Sequence, residues 1–555
     1  MPAQDPSPAS EADPASRPPE DDTHFRESNI PPWRFAFLCV GLCLGLCLSM
    51  IDTSIVATSL YTIGEEFNDL ERINWVALAY TLSFLGSAVF FARITDIVGR
   101  RNAYIAAFLI FFSFSLGCGF SQNMDALIAC RALQGIGGSG LFSVTMIIFP
   151  EMCPPKSRNY IAPLIGAVIS TSGVLGPILG GLFTAYTTWR WVFWINGPIG
   201  FVSMVFFYAS WPKAEFLPTI QRRSWKDLDF LGSLLVVSAA VLIVFAFQDA
   251  GYSHAENPWA NATFIAPLVV GLICWIGLFA WEAAFEHFWS KKMAALPLVL
   301  FRNRVFVAAI LNTIFLGFAY LATLYAVPLR LQVVNGKSPV TAGVMMLPML
   351  GATGFGSAIA GALSSRQNRL SETMTVASVL VTLGLALETT VSDSYELEPK
   401  FLGFMVFIGL GYGMITASAT MFTSLEATIA EHAPAQGIIA QSRMLGGSIG
   451  IAMSTAVLAV QQKEQLGSTI PPEGPATLAS TSPADIRKTY NDAFTQTMKV
   501  CAIIAGIGVL LTLGTYRRNR GSLDEQRGEQ VRNENQRREA EKSTASGAVV
   551  SQSSA

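Results

Sequence analysis

About fourteen stretches of roughly twenty apolar residues, separated by short polar turns, fill the chain from residue 34 to residue 520. No other feature restricts the fold as much. A helix of ~20 residues is what crosses the hydrocarbon of a bilayer, and in lipid the backbone polar groups of a spanning segment must be satisfied within it. The expectation is an all-α membrane protein, with helices centred near Leu46, Leu85, Phe111, Leu133, Thr171, Val202, Ala239, Ile273, Leu316, Met349, Leu383, Ile408, Ala452 and Val509. Composition agrees: 14% of the residues are charged against about 25% in a soluble domain, and the mean hydropathy is +0.44. Most of the 37 phenylalanines are expected to face lipid.

Several function classes lose support at once. The net charge is −2 and no basic patch is interleaved with aromatics, so a nucleic-acid partner is not indicated. The eight cysteines include no CxxC pair; Cys39, Cys43 and Cys47 form one packing stripe on the first helix. The four histidines lie in distant segments, so no zinc or catalytic cluster forms and no cofactor is expected. A membrane enzyme would lack its nucleophile–base or metal constellation. A sensor would lack a large ordered domain. Residues 1–33 ("DPSPASEADPASRPPEDD") and 521–555 cannot bury enough apolar surface to offset their ordering entropy, and both are expected to be disordered tails.

Arg and Lys concentrate in alternate loops, among them Arg93, Arg100, Arg101, Lys156, Arg222 and Arg223. The positive-inside rule places these loops and both termini in the cytosol. On the other side, a long loop over 461–496 is expected, and Asn261-Ala-Thr263 is a glycosylation sequon that abuts the eighth helix. Two segments resemble each other: 92-ARITDIVGRR-101 ends the second helix and 361-GALSSRQNRL-370 the tenth. If the seventh and eighth helices are an inserted pair, this repeat marks duplicated halves. The division is then 34–211 for one six-helix bundle, 212–228 for a linker, 229–285 for the inserted pair and 286–520 for the second bundle.

The chemistry-bearing residues lie inside the apolar runs. Arg131 stands in 128-IACRALQGIGGSGLF-142, next to Gln134. An ionisable group at the bilayer centre costs at least ~2.5–3.5 kcal/mol, so it needs a partner or a polar cavity. Asp52, in 50-MIDTSIVATSL-60, lies at a similar depth on the first helix and is the candidate partner. Such a pair either switches between ion-paired and protonated states, as a proton-coupled carrier requires, or statically orients two helices. Gly135 and Gly138 remove side chains and let helices approach Arg131. In 173-GVLGPILGG-181, Gly173, Gly176, Pro177, Gly180 and Gly181 predict a kinked, closely packed hinge. In the turn 95-TDIVGRR-101, Gly99 permits a sharp reversal. There Asp96 either caps the next helix or pairs with Arg100 or Arg101. Asn196, in 189-WRWVFWINGPIG-200, is a buried polar group needing a partner. Glu426 lies near the same cytosolic end as Arg443 and is a candidate partner for it.

In this order and at these helix positions, "IDTSIVATSL", "NWVALAY", "DIVGRR", "RALQGIGGSG", "GVLGPILGG", "WRWVFWINGPIG", "LDFLG" and "LGGSIG" resemble the major facilitator superfamily, and within it the fourteen-helix drug:proton antiporters that include fungal toxin efflux pumps. The resemblance covers residues 34–520. It implies a major facilitator fold, two six-helix bundles plus two inserted helices, rocking about a central cavity. It also implies proton-coupled efflux of an amphipathic small molecule across the cell membrane or, as an alternative, the vacuolar membrane. Asp52 and Arg131 match the family's acid and arginine, Asp96, Gly99, Arg100 and Arg101 its cytosolic gating motif, and the glycines and Pro177 of the fifth helix its antiporter motif. Ala92 departs from the family's usual glycine. A siderophore or basic amino acid carrier of the same fold is the alternative cargo reading.

Overall fold

The computed structural model describes residues 30–56, 59–69, 72, 74–153, 158–212, 229–252, 260–288, 294, 296–364, 368–428, 431–466, 482–517, 525–526, 528–537 and 539. The expected N-terminal tail up to residue 29, linker residues 213–228, Ser365 and Arg366 of the second repeat, and 540–555 lie outside them. Fourteen long helices follow one another: α1 (Pro32–Ile55), α2 (Asn74–Val98), α3 (Arg100–Phe120), α4 (Met124–Met152), α5 (Arg158–Tyr186), α6 (Asn196–Ser210), α7 (Phe230–Tyr252), α8 (Ala262–Phe288), α9 (Arg304–Val333), α10 (Leu347–Ser364), α11 (Leu370–Glu388), α12 (Pro399–Glu426), α13 (His432–Leu466) and α14 (Pro483–Thr512). Every centre read from the sequence falls in its own helix. Among the described residues, 13 helices are long and apolar enough to cross a membrane, or 14 when α2, bent by 50° between Ala88 and Phe90, counts as one span.

The helix ends follow from local chemistry. Pro32, Pro399 and Pro483 occupy first-turn positions, where the missing N–H costs nothing. The side chains of Asn123, Asn303 and Ser482 accept amide hydrogen bonds at the starts of α4, α9 and α14.

The packing repeats itself. In the first half α2 packs on α4, α3 on α4, α1 on α5 and α1 on α6; in the second, α10 packs on α12, α11 on α12, α9 on α13 and α9 on α14. These are the same pairings shifted by eight helices. The halves meet along α2/α13 and α5/α10. Helix α7 covers the first seam by packing on both α2 and α13, and α8 packs on α7. We call the end of the bundle that carries the starts of α1 and α9 the near end; Arg304 donates there to the Tyr516 carbonyl at 3.1 Å, after α14.

Three expectations need correction. The 461–496 loop is shorter, because α13 extends to Leu466 and α14 begins at Pro483. Polar residues there zip the two helices together: Gln462 donates to Tyr490 Oη (3.0 Å), Gln465 to Asp492 (3.0 Å) and Thr489 to Gln465 (2.9 Å). The described phenylalanines divide: Phe84, Phe111, Phe142, Phe149, Phe193 and Phe207 are among those buried between helices, against the lipid-facing expectation, while Phe120, Phe201 and Phe355 are exposed. Rings fill the gaps between close-set helices as well as they face lipid. Finally, the C-terminal segment is helical over 528–537. Its Gln530 amide donates to the Leu425 (2.5 Å) and Ala427 (3.0 Å) carbonyls, groups that the end of α12 leaves without intrahelical donors.

Candidate functional site

Helix α4 carries Arg131 seven residues after its first residue, and α1 carries Asp52 three residues before its last. The antiparallel helices bring both side chains to one depth, where Arg131 Nη1 forms an ion pair with Asp52 Oδ2. Asp52 is 0% and Arg131 1% exposed. Desolvation of such a pair is offset only when the remaining donors and acceptors are also engaged, and here most are. Asp52 Oδ1 accepts from Gln134 Nε2 (3.0 Å) and from Asn196 Nδ2 (3.2 Å). Arg131 donates to the Val76 carbonyl (3.1 Å) and to Gln134 Oε1 (3.0 Å). Its guanidinium lies 4.4 Å from the Tyr80 ring centroid and 5.6 Å from that of Phe193. Asn196 also donates to Ser115 Oγ at 2.8 Å, but its own Oδ1 is buried without a partner. Asp52, Arg131, Gln134 and Asn196 thus converge. Side chains cage the pair directly, where the sequence suggested a polar cavity.

Here the glycines of α4 have a specific role. A Cβ at Gly138 would collide with the Tyr80 hydroxyl, and one at Gly135 with the Tyr80 carbonyl. The missing side chains seat Tyr80, which covers the arginine and donates to the Ser49 carbonyl at 3.0 Å. Gly137 plays the same part for the backbone of α3 at Phe111.

At the near end, Gly99 separates α2 from α3 with φ = 91°, a conformation that strains any residue with a Cβ. Asp96 pairs with Arg100 at 2.6 Å. Arg100 also forms two bonds to Glu151 at the end of α4, at 3.0 and 2.9 Å. Arg101 instead stacks over the Tyr208 ring at 4.7 Å. Glu151 escaped the sequence reading, although an acid closing an apolar helix was the available signal. Arg93, expected in a cytosolic loop, is instead a buried residue of α2. It meets Glu431, just before α13, at 3.3 Å and donates to the Ala294 carbonyl ahead of α9. Glu282 of the inserted α8 accepts from the Leu296 amide at 2.7 Å, holding the same segment between α8 and α9. Glu426 does not pair with Arg443: it binds Arg517 at 3.2 Å and Asn303 at 2.5 Å. Arg443 lies eleven residues into α13, ~16 Å deeper at the helical rise of ~1.5 Å per residue.

The glycine–proline motif lies at the seam. Helix α5 continues through Pro177. Gly176 admits Ser54 of α1, while Gly173 and Gly181 lie opposite Leu350 and Val340 of the second half, where a Cβ would stand at 3.5 and 3.6 Å. Asn261 precedes α8, its carbonyl accepting from Phe264 (3.1 Å) and Ile265 (3.0 Å).

Two pseudo-symmetric helix bundles with a charged cluster buried at depth define a membrane transporter. The model of the Major Facilitator Superfamily matches residues 42–451. The chain is 32% identical over 488 residues to the MFS-type transporter FPY5 of Fusarium mangiferae, covering 84% of this chain and 81% of that protein. It is 31% identical to the efflux pump dotC of Dothistroma septosporum, covering 68% of this chain and 63% of that protein. A solved bacterial homologue of the human lysosomal transporter Spinster, inward-facing and unoccupied, shares the fold with a TM-score of 0.53 at 16% identity, over 87% of this chain and 97% of that one. The chain belongs to the Major Facilitator Superfamily and is a multi-pass membrane transporter of small molecules, not an enzyme.

Proposed function

We propose that the protein is a proton-driven exporter of amphipathic small molecules: drugs, toxins or fungal secondary metabolites. It sits in the cell membrane with both termini cytosolic, and it works by alternating access. The observation that carries this reading is the state of Asp52. Its carboxylate is fully buried and bound by Arg131, Gln134 and Asn196, while the partnerless Oδ1 of Asn196 is the acceptor that a protonated Asp52 requires. Rotating the Asn196 amide exchanges a donor for an acceptor, so both protonation states can be satisfied with little rearrangement. Taking up a proton removes the negative charge that holds Arg131 and loosens α1 from α4.

Alternating access then needs one seam to open while the other closes. The Arg93–Glu431 contact joins the halves at the near end, and the Asp96–Arg100–Glu151 cluster ties α2, α3 and α4 of the first half together there. The small residues of α5 let it slide against α10. Each charge crossing the membrane contributes ~2.3 kcal/mol per 100 mV, enough for one proton to support a useful gradient. Fungal relatives named as efflux pumps support the outward direction.

The test is transport into inverted vesicles carrying an acid-inside gradient, with a panel of amphipathic dyes and toxins. Accumulation that a protonophore abolishes is expected. Movement only in the opposite direction, or accumulation indifferent to the gradient, would overturn the proposal.

A further inference from the structure

Among the buried carboxyl groups of this protein is one that the mechanism above does not use. Glu388 is the last residue of α11, at the end of the bundle far from the tails. It is 0% exposed, and neither carboxyl oxygen has a hydrogen-bond partner. An ionised carboxylate so placed would carry a desolvation cost with no hydrogen bond to offset it, so the neutral acid is the form that the geometry fits.

The cation within electrostatic reach is Arg330 of α9. It too is buried, at 2% exposure, yet all its hydrogen-bond acceptors are neutral: Asn491 Oδ1 at 3.2 and 3.3 Å, Asn335 Oδ1 at 3.2 Å and the Ser392 carbonyl at 2.7 Å. The rings of Phe401 and Phe494 flank it, with centroids at 5.0 and 5.2 Å. A buried acid without a base and a buried base without an acid thus lie within electrostatic reach of each other, not joined. In the first half the buried acid and the buried arginine, Asp52 and Arg131, are joined. Solvent is near, because Ser392, Asp393 and Ser394, within two turns of Glu388, are exposed.

We propose that Glu388 is a second proton-binding site and that Arg330 is the positioning residue that reads its charge. With the proton on Glu388, Arg330 ties α9 to α14 through Asn491 and to the segment following α11 through Ser392. When Glu388 gives its proton to water at the far end, only its O–H bond breaks. The resulting carboxylate captures Arg330, and the ties to Asn491 and Ser392 are released.

The other groups facing the pair are few. Cys501 of α14 lies within electrostatic reach of Glu388. Asp393 and Glu398 act on Arg330 from the segment after α11, and Glu398 is itself bound by Lys400 of α12 at 2.8 Å. Helix α10, which also packs on α11, carries no titratable side chain. The proton-binding site stands on this geometry; its use in transport rests on the proton-driven reading above.

The experiment uses the purified full-length protein. Infrared difference spectra between neutral and alkaline buffer should show the C=O stretch of a protonated acid that disappears at high pH. It should be missing in Glu388→Gln and retained in Asp52→Asn. In parallel, amide hydrogen exchange in the peptide spanning 389–398, corrected for the intrinsic rate at each pH, should rise about tenfold on deprotonation, the effect of losing one charge-assisted hydrogen bond. In Glu388→Gln it should not change with pH. A band that survives Glu388→Gln, or exchange in that variant that still follows pH, overturns the proposal and leaves the role of Asp52 untouched. If neither variant alters transport in vesicles while the band assignment holds, the proton-driven reading fails and the proton site stands.

Discussion

Removing the charge of Asp52 tests whether its ion pair drives transport or only braces two helices. In Asp52→Asn, Arg131 keeps the Val76 carbonyl, Gln134 and the Tyr80 ring but loses its counter-charge. Deleting one partner of a buried pair costs ~3–5 kcal/mol, and the surviving contacts place this case near ~3 kcal/mol. Arg131→Gln strands Asp52 with two amide donors and should cost about as much. Combining Asp52→Asn with Arg131→Gln leaves no charge unpaired, so the double variant should lie within ~1 kcal/mol of the parent. That difference corresponds to a coupling energy of several kcal/mol, at or above the range usual for neighbouring sites. Stability is read from thermal unfolding in detergent, followed by labelling of the buried thiols Cys118, Cys153 and Cys501. Transport is read in vesicles with an imposed pH gradient. Stability should return in the double variant while gradient-driven transport stays lost in all three. Recovery of both together would refute the reasoning and make the pair a brace. Gradient-driven transport at the parent's rate in Asp52→Asn alone would refute it as directly.

Two further outcomes follow from particular contacts. Gly138→Ala places a methyl group against the Tyr80 hydroxyl; displacing the ring from Arg131 should cost ~1–3 kcal/mol and slow transport, whereas an unchanged unfolding temperature would show that Tyr80 has room to move. Arg93→Gln removes the contact to Glu431 that joins the halves at the near end, and a cysteine introduced nearby should then label several-fold faster with a membrane-impermeant maleimide applied from that side. No change in labelling would mean that the seam is held elsewhere.

Much of this architecture is written locally. Apolar runs long enough to span lipid leave helix as the form available to them, so the fourteen centres, the duplicated halves and the inserted pair were legible before any coordinates. The pairing of Asp52 with Arg131 was legible for the same reason: buried charges are few, and helical rise converts sequence position into depth. What failed, or could not be read, depends on lateral neighbours. Glu426, expected to meet Arg443, takes Arg517 and Asn303 from α14's end and α9's start instead. The polar stretch after Ala459 looked like loop because its partners on α14 lie some thirty residues away. The cage of Val76, Tyr80 and Ser115 around the ion pair, the grip of Glu151 on Arg100 and the separation of Glu388 from Arg330 have no one-dimensional signal. Hydropathy fixes how deep a residue lies in the membrane. Which side chains meet at that depth is decided only when the helices choose their faces, and that choice is made by the close packing of α2, α3 and α4 around residues with no side chain.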